Sequence, residues 1–252
     1  MANCLTLYFS GTGNTKYIAN LFSKHMGAKT LSIESDADFA NEIKSHDTIA
    51  FCYPIYGSRV PRIMREFATK YMDDIKGKKI VILVTQWLFS GDGARVFTDL
   101  FKDHPCDVIY AEHFNMPQNI CNTPFLKPVS KRKMQKFKRA ARFKMARVSK
   151  QIKRGIVKKH GFSKLSAWAG SIQGNPWQGL EQKVKNGVKI WDECTACNLC
   201  VKICPMKNLK NKEGKIHQLN NCTVCYRCVN RCPEKAITVL FHRRPKWQYK
   251  LR

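Results

Sequence analysis

The sequence has almost no acidic residues in its middle. None falls between Glu112 and Glu181, where 16 lysines and arginines do. Surface helices usually mix signs, because opposite charges one turn apart support the helix, so a solvated face alone does not account for this stretch. Long apolar runs are missing too. None approaches the ~18 residues that span a bilayer, and the longest candidates, such as Ile80–Val84, suit a buried strand. The N-terminus has no charged leader and no cleavage site, which argues against a secretory signal. The expectation is a cytoplasmic protein whose cysteines serve metal or redox chemistry, not disulfides. The chain lacks a Walker A loop and a complete G-x-G-x-x-G, so no NAD(P)H fingerprint is evident. Its seven histidines show no metal-ligand spacing.

Two quantities are high. There are 12 cysteines, and the formal net charge is +27. Residues 1–111 carry 13 basic and 12 acidic side chains, whereas residues 112–252 carry 32 and 6. Such asymmetry implies two parts with different tasks. With 44% hydrophobic and 25% charged residues, the chain is otherwise an ordinary globular one.

The first half alternates short apolar runs with helical patterns. Strands are expected at Cys4–Phe9, Thr30–Ile33, Thr48–Tyr53, Lys79–Thr85 and Val108–Ala111. Helices are expected after residue 16, at Arg62–Tyr71 and at Ala94–Phe101. Five continuously apolar strands separated by helices predict a doubly wound α/β sheet buried on both faces. Residues 112–126 read as a loop. From about Val129 to Ile156 the apolar positions Met134, Phe137, Ala141, Met145, Val148, Ile152 and Ile156 form one helical stripe, expected to close one side of the sheet. Residues 161–189 have a linker composition, partly docked through Trp168 and Trp177. A compact cysteine-rich unit fills 190–240, and a basic tail follows over 241–252.

The cysteine-rich unit contains an internal repeat. Cys194-x-x-Cys197-x-x-Cys200-x-x-x-Cys204-Pro205 recurs as Cys222-x-x-Cys225-x-x-Cys228-x-x-x-Cys232-Pro233. Three thiolates at this spacing wrap one face of a cubane cluster, and the fourth ligand comes from elsewhere. A zinc site needs four ligands in paired C-x-x-C units and would leave two cysteines of each run idle. The unit resembles the bacterial two-cluster ferredoxins. The second run continues Glu234-Lys235-Ala236-Ile237, close to that family's Cys-Pro-x-x-Ala-Ile, while the first has Asn208-Leu209 instead of Ala-Ile. The resemblance implies two [4Fe–4S] clusters, one held by Cys194, Cys197, Cys200 and Cys232, the other by Cys222, Cys225, Cys228 and Cys204. Of the remaining cysteines, Cys4, Cys52 and Cys106 are expected to be buried, and Cys121 to lie in a loop as a free thiol.

Between the first strand and the first helix lies Ser10-Gly11-Thr12-Gly13-Asn14-Thr15. Hydroxyls and backbone amides at a helix start suit a phosphate monoester. The segment resembles the flavodoxin phosphate loop, [Ser/Thr]-x-Thr-Gly-x-Thr, through Ser10, Thr12, Gly13 and Thr15. The resemblance covers residues 1–160 and implies FMN and a five-stranded sheet of order 2-1-3-4-5. In that order the ligand sits off the carboxyl ends of strands 1, 3 and 4. The flavin ring is then expected near Pro54, Ile55, Tyr56 and Gly57 and near Gln86, Trp87, Gly91 and Asp92, with Tyr56 and Trp87 covering it.

Together the halves resemble fused flavodoxin–ferredoxin electron-transfer proteins of anaerobes: a flavodoxin-like α/β domain with a small C-terminal α+β two-cluster ferredoxin domain. Three functions answer these features. The first is electron transfer between the clusters and FMN, with an acidic redox protein (a ferredoxin, flavodoxin or oxidoreductase) as partner. The second is FMN-dependent reduction of a small-molecule substrate, in a pocket shaped by residues 112–126, Trp168 and Trp177. The third is redox-responsive binding of a nucleic acid or an anionic membrane surface by the basic segment. No acid–base constellation and no nucleic-acid motif is evident, which puts the first ahead; no catalytic residue is assigned.

Overall fold

The structure is a computed structural model that describes residues 3–104 and 106–251. Met1, Ala2, Pro105 and Arg252, which fall within the expected domain 1–160 and tail 241–252, lie outside the described residues. The described chain divides into two compact units that interleave along the sequence. The first comprises the chain up to Ser10, Asn14–Pro117 and Gln135–Trp177. The second comprises Gly11–Gly13, Gln118–Met134 and the chain from Gln178.

The first unit is built on a parallel sheet of β1 (Cys4–Tyr8), β2 (Lys29–Ser32), β3 (Thr48–Pro54), β4 (Lys79–Gln86), β5 (Asp107–Asn115) and β6 (Lys158–Lys159), in the order 2-1-3-4-5-6. β1, β3 and β4 are buried almost throughout, as central strands covered on both faces must be. The expected five strands are present in the expected order. The sixth is a two-residue addition that pairs Tyr110 with Lys158 at the β5 edge. Short length and exposed lysines are how an edge strand avoids further pairing.

Helices α1 (Asn14–Met26), α2 (Phe39–Lys44), α3 (Arg62–Lys70) and α4 (Met72–Ile75) connect the strands. The expected helix at 94–101 is a 3-10 helix, Arg95–Phe101. β5 runs on to Asn115 and so takes the first residues of the expected loop 112–126. α5 (Lys131–Lys153) buries Met134, Ala141, Met145, Val148 and Ile152. Its start is capped by Ser130, whose side chain accepts from Lys133 N. Its end is a glycine cap: Gly155 at φ +71° donates to Ile152 O, and Ile156 N to Gln151 O. Ile156 therefore lies beyond the helix and is exposed, not part of the stripe.

The largest difference from expectation is α6 (Lys164–Val184), a helix of 21 residues where a linker composition stands, with Pro176 inside it. Its small residues have a packing role. A Cβ on Gly170 would lie 1.8 Å from Asp92 Oδ1, and one on Gly174 would lie 2.1 Å from Arg59 Cζ. At Gly170, where the Asp92 backbone N would also lie at 2.9 Å, a side chain would force the helix away, whereas the Arg59 side-chain end facing Gly174 can move.

In the second unit β7 (Val188–Ile190) pairs antiparallel with β10 (Ile237–Val239), and β8 (Leu209–Lys212) with β9 (Lys215–Gln218). Two five-residue helices, α7 (Leu199–Ile203) and α8 (Arg227–Arg231), follow equivalent cysteines of the two runs. The basic tail is docked rather than loose: Gln248 Nε2 donates to Val229 O and Cys232 O, and Tyr249 N to Asn230 Oδ1.

Candidate cofactor sites

The eight cysteines of the two runs line two separate cavities. The first, of about 380 Å³, is lined by Cys194, Cys197, Cys200 and Cys232, with Ala236 and Ile237. The second, of about 350 Å³, is lined by Cys204, Cys222, Cys225 and Cys228, with Asn208 and Leu209. Each cavity thus takes three cysteines from one run and the fourth from the other. Among the described residues no three His, Cys, Asp or Glu side chains converge on one point as single-ion ligands would. Four cysteine thiols around each cavity are the donor set of an iron–sulfur cluster.

The backbone around the cavities repeats as the sequence does. Ala196 and Asn198 in the first run and Val224 and Tyr226 in the second have φ between +49° and +62°. Lys207 and Lys235, three residues past the fourth cysteine of each run, are left-handed as well. A β-branched residue such as Val224 rarely adopts this conformation, and each such residue costs about 1–3 kcal/mol. Alternating hands turn successive amides toward one side, a geometry that binds anions. Amides also reach the sulfurs: Val224 N donates to Cys222 Sγ at 3.3 Å, Asn208 N to Cys204 Sγ at 3.2 Å and Ala236 N to Cys232 Sγ at 3.3 Å. Donors aimed at sulfur favour the thiolate and tune a cluster's potential. Asn208, which departs from the ferredoxin pattern, is buried and accepts from Asn221 N at 2.5 Å, so its polarity is satisfied.

The loop 10–15 joins β1 to α1. In the first unit Ser10 and Thr15 are buried, Thr15 Oγ1 lies 2.8 Å from Thr85 Oγ1, and Asn14 Nδ2 donates to Pro117 O at 2.8 Å. In the second unit Thr12 Oγ1 accepts from Asn119 Nδ2 at 2.9 Å. An accepting hydroxyl keeps its own proton to donate. Hydroxyls, amides and a helix start, with no acidic side chain among them, make a donor set that fits a phosphate.

α6 packs against both segments expected to carry the ring contacts. Gly57, at φ +51°, lies under Trp177, against which a Cβ would sit at 2.6 Å. Tyr56 and Trp177 have ring centroids 6.3 Å apart, and the Trp177 indole N–H is buried without a hydrogen-bond partner. Gly91, also left-handed, faces the Gly170 backbone. At Gly57 the approaching group is the Trp177 side chain, and at Gly91 it is the backbone of α6. Asp92 is 1% exposed, bonded to Arg95 at 2.6 Å and 3.9 Å from Arg59. Both Arg95 bonds fall on Oδ2, while Oδ1 is buried beside Gly170 of α6. Pro54 ends β3 and Ile55 packs against Gly93. Gln86 Oε1 accepts from Ser90 Oγ at 2.5 Å, and Trp87 remains 42% exposed. Trp168 is exposed and takes no part. Cys121 lies outside helix and strand as a free thiol, as expected, but it is buried, and burial pushes the thiol up to about 12. Cys4 and Cys52 are buried as expected, and Cys106 is half-buried.

One cluster had no signal in the sequence. Glu112 on β5 lies 2.8 Å from His160 Nδ1 and 3.0 Å from Lys144 Nζ, and the His113 and His160 rings are 4.9 Å apart. Burial pushes the Glu112 carboxyl up, but hydrogen bonds from His160 and Lys144 prevail and hold it at about 2. Burial, reinforced by His160, holds His113 at about 4. The unfolded chain therefore takes up protons that the folded one refuses, at His113 between pH 6.5 and about 4, and at Glu112 between pH 4.5 and about 2. Both contributions are complete above the ordinary pKa and are lost as pH falls. Urea unfolding of the full chain is expected to lose stability from pH 7 to 4, and His113→Gln to flatten that slope. Equal slopes in the two proteins would remove His113 as the source.

Residues 5–155 match the family described as a flavodoxin domain, and residues 181–237 match one described as a 4Fe-4S dicluster domain. No curated protein sequence matches the chain. Among solved structures it is similar to a WrbA-like flavodoxin from Agrobacterium tumefaciens, at 16% identity and a TM-score of 0.44 over 61% of this chain and 98% of that one. It is also similar to the two-electron reduced flavodoxin of Megasphaera elsdenii, at 22% identity and a TM-score of 0.41 over 56% and 98%. The Trp repressor binding protein from Bacillus subtilis matches at 11% identity and a TM-score of 0.41 over 55% and 94%. No described helix is long and apolar enough to cross a membrane.

Proposed function

Because the chain belongs to the flavodoxin domain family and carries a 4Fe-4S dicluster domain, it is an iron–sulfur flavoprotein of electron transfer, and we propose that it relays electrons between two [4Fe–4S] clusters and FMN. The clusters, when bound, supply one-electron steps, and the flavin supplies one- or two-electron steps. The observation that carries this proposal is the pair of cysteine-lined cavities, each completed by the other run's fourth cysteine. Cys194, Cys197, Cys200 and Cys232 would hold one cluster, and Cys204, Cys222, Cys225 and Cys228 the other. The chain's own contribution is to bend the backbone so that amides meet sulfur, and to exclude water with Ile190, Ile216 and Ile237 on one side and Val188, Leu209 and Val239 on the other. Ser10, Gly11, Thr12, Gly13, Asn14 and Thr15 would hold the FMN phosphate by N–H and O–H donation. The Trp177 indole N–H, buried and without a partner beside Tyr56, is a donor waiting for an acceptor.

The partner class we infer is an acidic redox protein, met by the basic face of α5. Arg132, Lys136, Arg139, Arg142 and Arg147 are exposed on that helix. Lys144 of the same helix is paired with Glu112.

Protein purified anaerobically is expected to contain about eight iron atoms and about eight acid-labile sulfides per chain, with one FMN. Metal and sulfide analysis checks this. Stoichiometric zinc without sulfide in fresh protein would overturn the cluster assignment.

A further inference from the structure

The tip of the phosphate loop, Gly11–Gly13, belongs to the second unit, and each of its three residues is fixed there. The Gly11 carbonyl accepts from Arg227 Nε at 3.2 Å, while Arg227 Nη1 donates to Ile203 O at 2.9 Å. A Cβ on Gly11 would lie 2.3 Å from the Cys225 carbonyl oxygen and 3.2 Å from Cys225 Cβ. Gly11 is not left-handed, so it is close approach, not backbone conformation, that excludes a side chain. Thr12 is held by Asn119, whose carbonyl accepts from Asn230 Nδ2 in α8 at 3.0 Å. Gly13 faces Leu251 in the docked tail.

Three of the residues in these contacts, Cys225, Arg227 and Asn230, belong to the second cysteine run. Arg227 stands between Cys225 and Cys228, and Asn230 lies two residues beyond Cys228. The backbone that carries them is left-handed at Val224 and Tyr226. Such a conformation persists only where its surroundings over-determine it, and the cavity lined by Cys204, Cys222, Cys225 and Cys228 is what it wraps.

We propose that the loop tip and the second cysteine run are one binding element, with Arg227 as the positioning residue, so that filling the Cys204–Cys222–Cys225–Cys228 site tightens the grip on the FMN phosphate. By linkage, FMN must equally favour the filled site. The inference rests on the flavin and cluster assignments above and adds the coupling between them. It also identifies which run couples: the corresponding position of the first run is Leu199, which has no guanidinium to offer.

The test measures FMN dissociation constants by flavin fluorescence on the full chain, with clusters intact and after anaerobic chelation, for wild type and Arg227→Met. Iron and sulfide are counted in parallel. Wild type is expected to bind FMN about tenfold more weakly after chelation. Cluster-loaded Arg227→Met is expected to be weakened about tenfold at unchanged iron content, with little further loss on chelation, because the link is already cut. Arg227→Lys, which keeps a donor and a charge, should recover part of the loss. If Arg227→Met loses iron, Gly11→Ala replaces it, since that change disturbs the same contact from the loop side. One affinity across all states, or an equal chelation penalty in wild type and variant, would overturn the coupling while leaving FMN binding in place. Absence of FMN binding in every state would instead overturn the flavin assignment on which the coupling stands.

Discussion

Thr12→Glu is expected to weaken FMN binding by about three decades. The substitution removes the hydroxyl that accepts from Asn119 and sets a carboxylate where the phosphate is to sit. Two like charges about 4 Å apart at an effective dielectric of about 20 repel by about 4 kcal/mol, and every 1.4 kcal/mol is about a factor of ten. The helix start that favours an anion favours the new carboxylate as well, so the site fills itself. No cysteine is touched, and iron and sulfide per chain should stay at the wild-type value. Thr12→Ser keeps the hydroxyl and is expected to bind almost normally. Fluorescence titration decides the matter: a Glu variant within twofold of wild type would mean that the phosphate does not lie at Thr12.

Charge reversal along α5 is expected to slow reduction by an acidic ferredoxin by about one to two decades at low salt, since steering of charged partners changes encounter rates by about 10- to 1,000-fold. The structure selects the residues. Lys131, Arg132, Arg139, Arg142 and Arg147 are exposed. Lys138 is left unchanged because it lies over the Tyr17 ring at 5.3 Å, and Lys144 because it bonds Glu112. Phe143, 67% exposed with Arg139 over its ring, gives the same face an apolar anchor. Wild type and variant should converge as salt shortens the screening length toward about 3 Å at 1 M. Stopped-flow rates across a salt series measure this. Equal, salt-independent rates would end the docking role. Loss of salt-sensitive binding to RNA or to anionic vesicles, with ferredoxin rates intact, would point to the nucleic-acid or membrane alternative.

What was legible in the sequence was whatever is encoded at short range. The cysteine runs could be read because three thiolates at two-residue separations determine their own geometry. The five main strands and α5 could be read because burial on one or both faces imposes a period on neighbouring residues. α6 could not. Gly170, Gly174 and Pro176 are poor helix formers, and the reason the helix tolerates them, contact with Gly91, Asp92 and Arg59, lies about eighty residues or more away in the chain. The Glu112, Lys144, His113 and His160 group draws on β5, α5 and the residue after β6, so no local spacing marks it. Arg227 and Asn119 carry no motif of their own.

The interleaving of the second unit has a consequence for how the protein is made. Gly11 and its partner Arg227 are 216 positions apart. At a synthesis rate of about 5–20 residues per second, the loop leaves the ribosome roughly 10–40 s before the residues that fix it. The strands of the first unit are all present by Lys159, so its sheet can assemble on the nascent chain. The cysteine runs follow that sheet in the chain. The loop tip therefore has to wait, after its synthesis, for the residues that fix it.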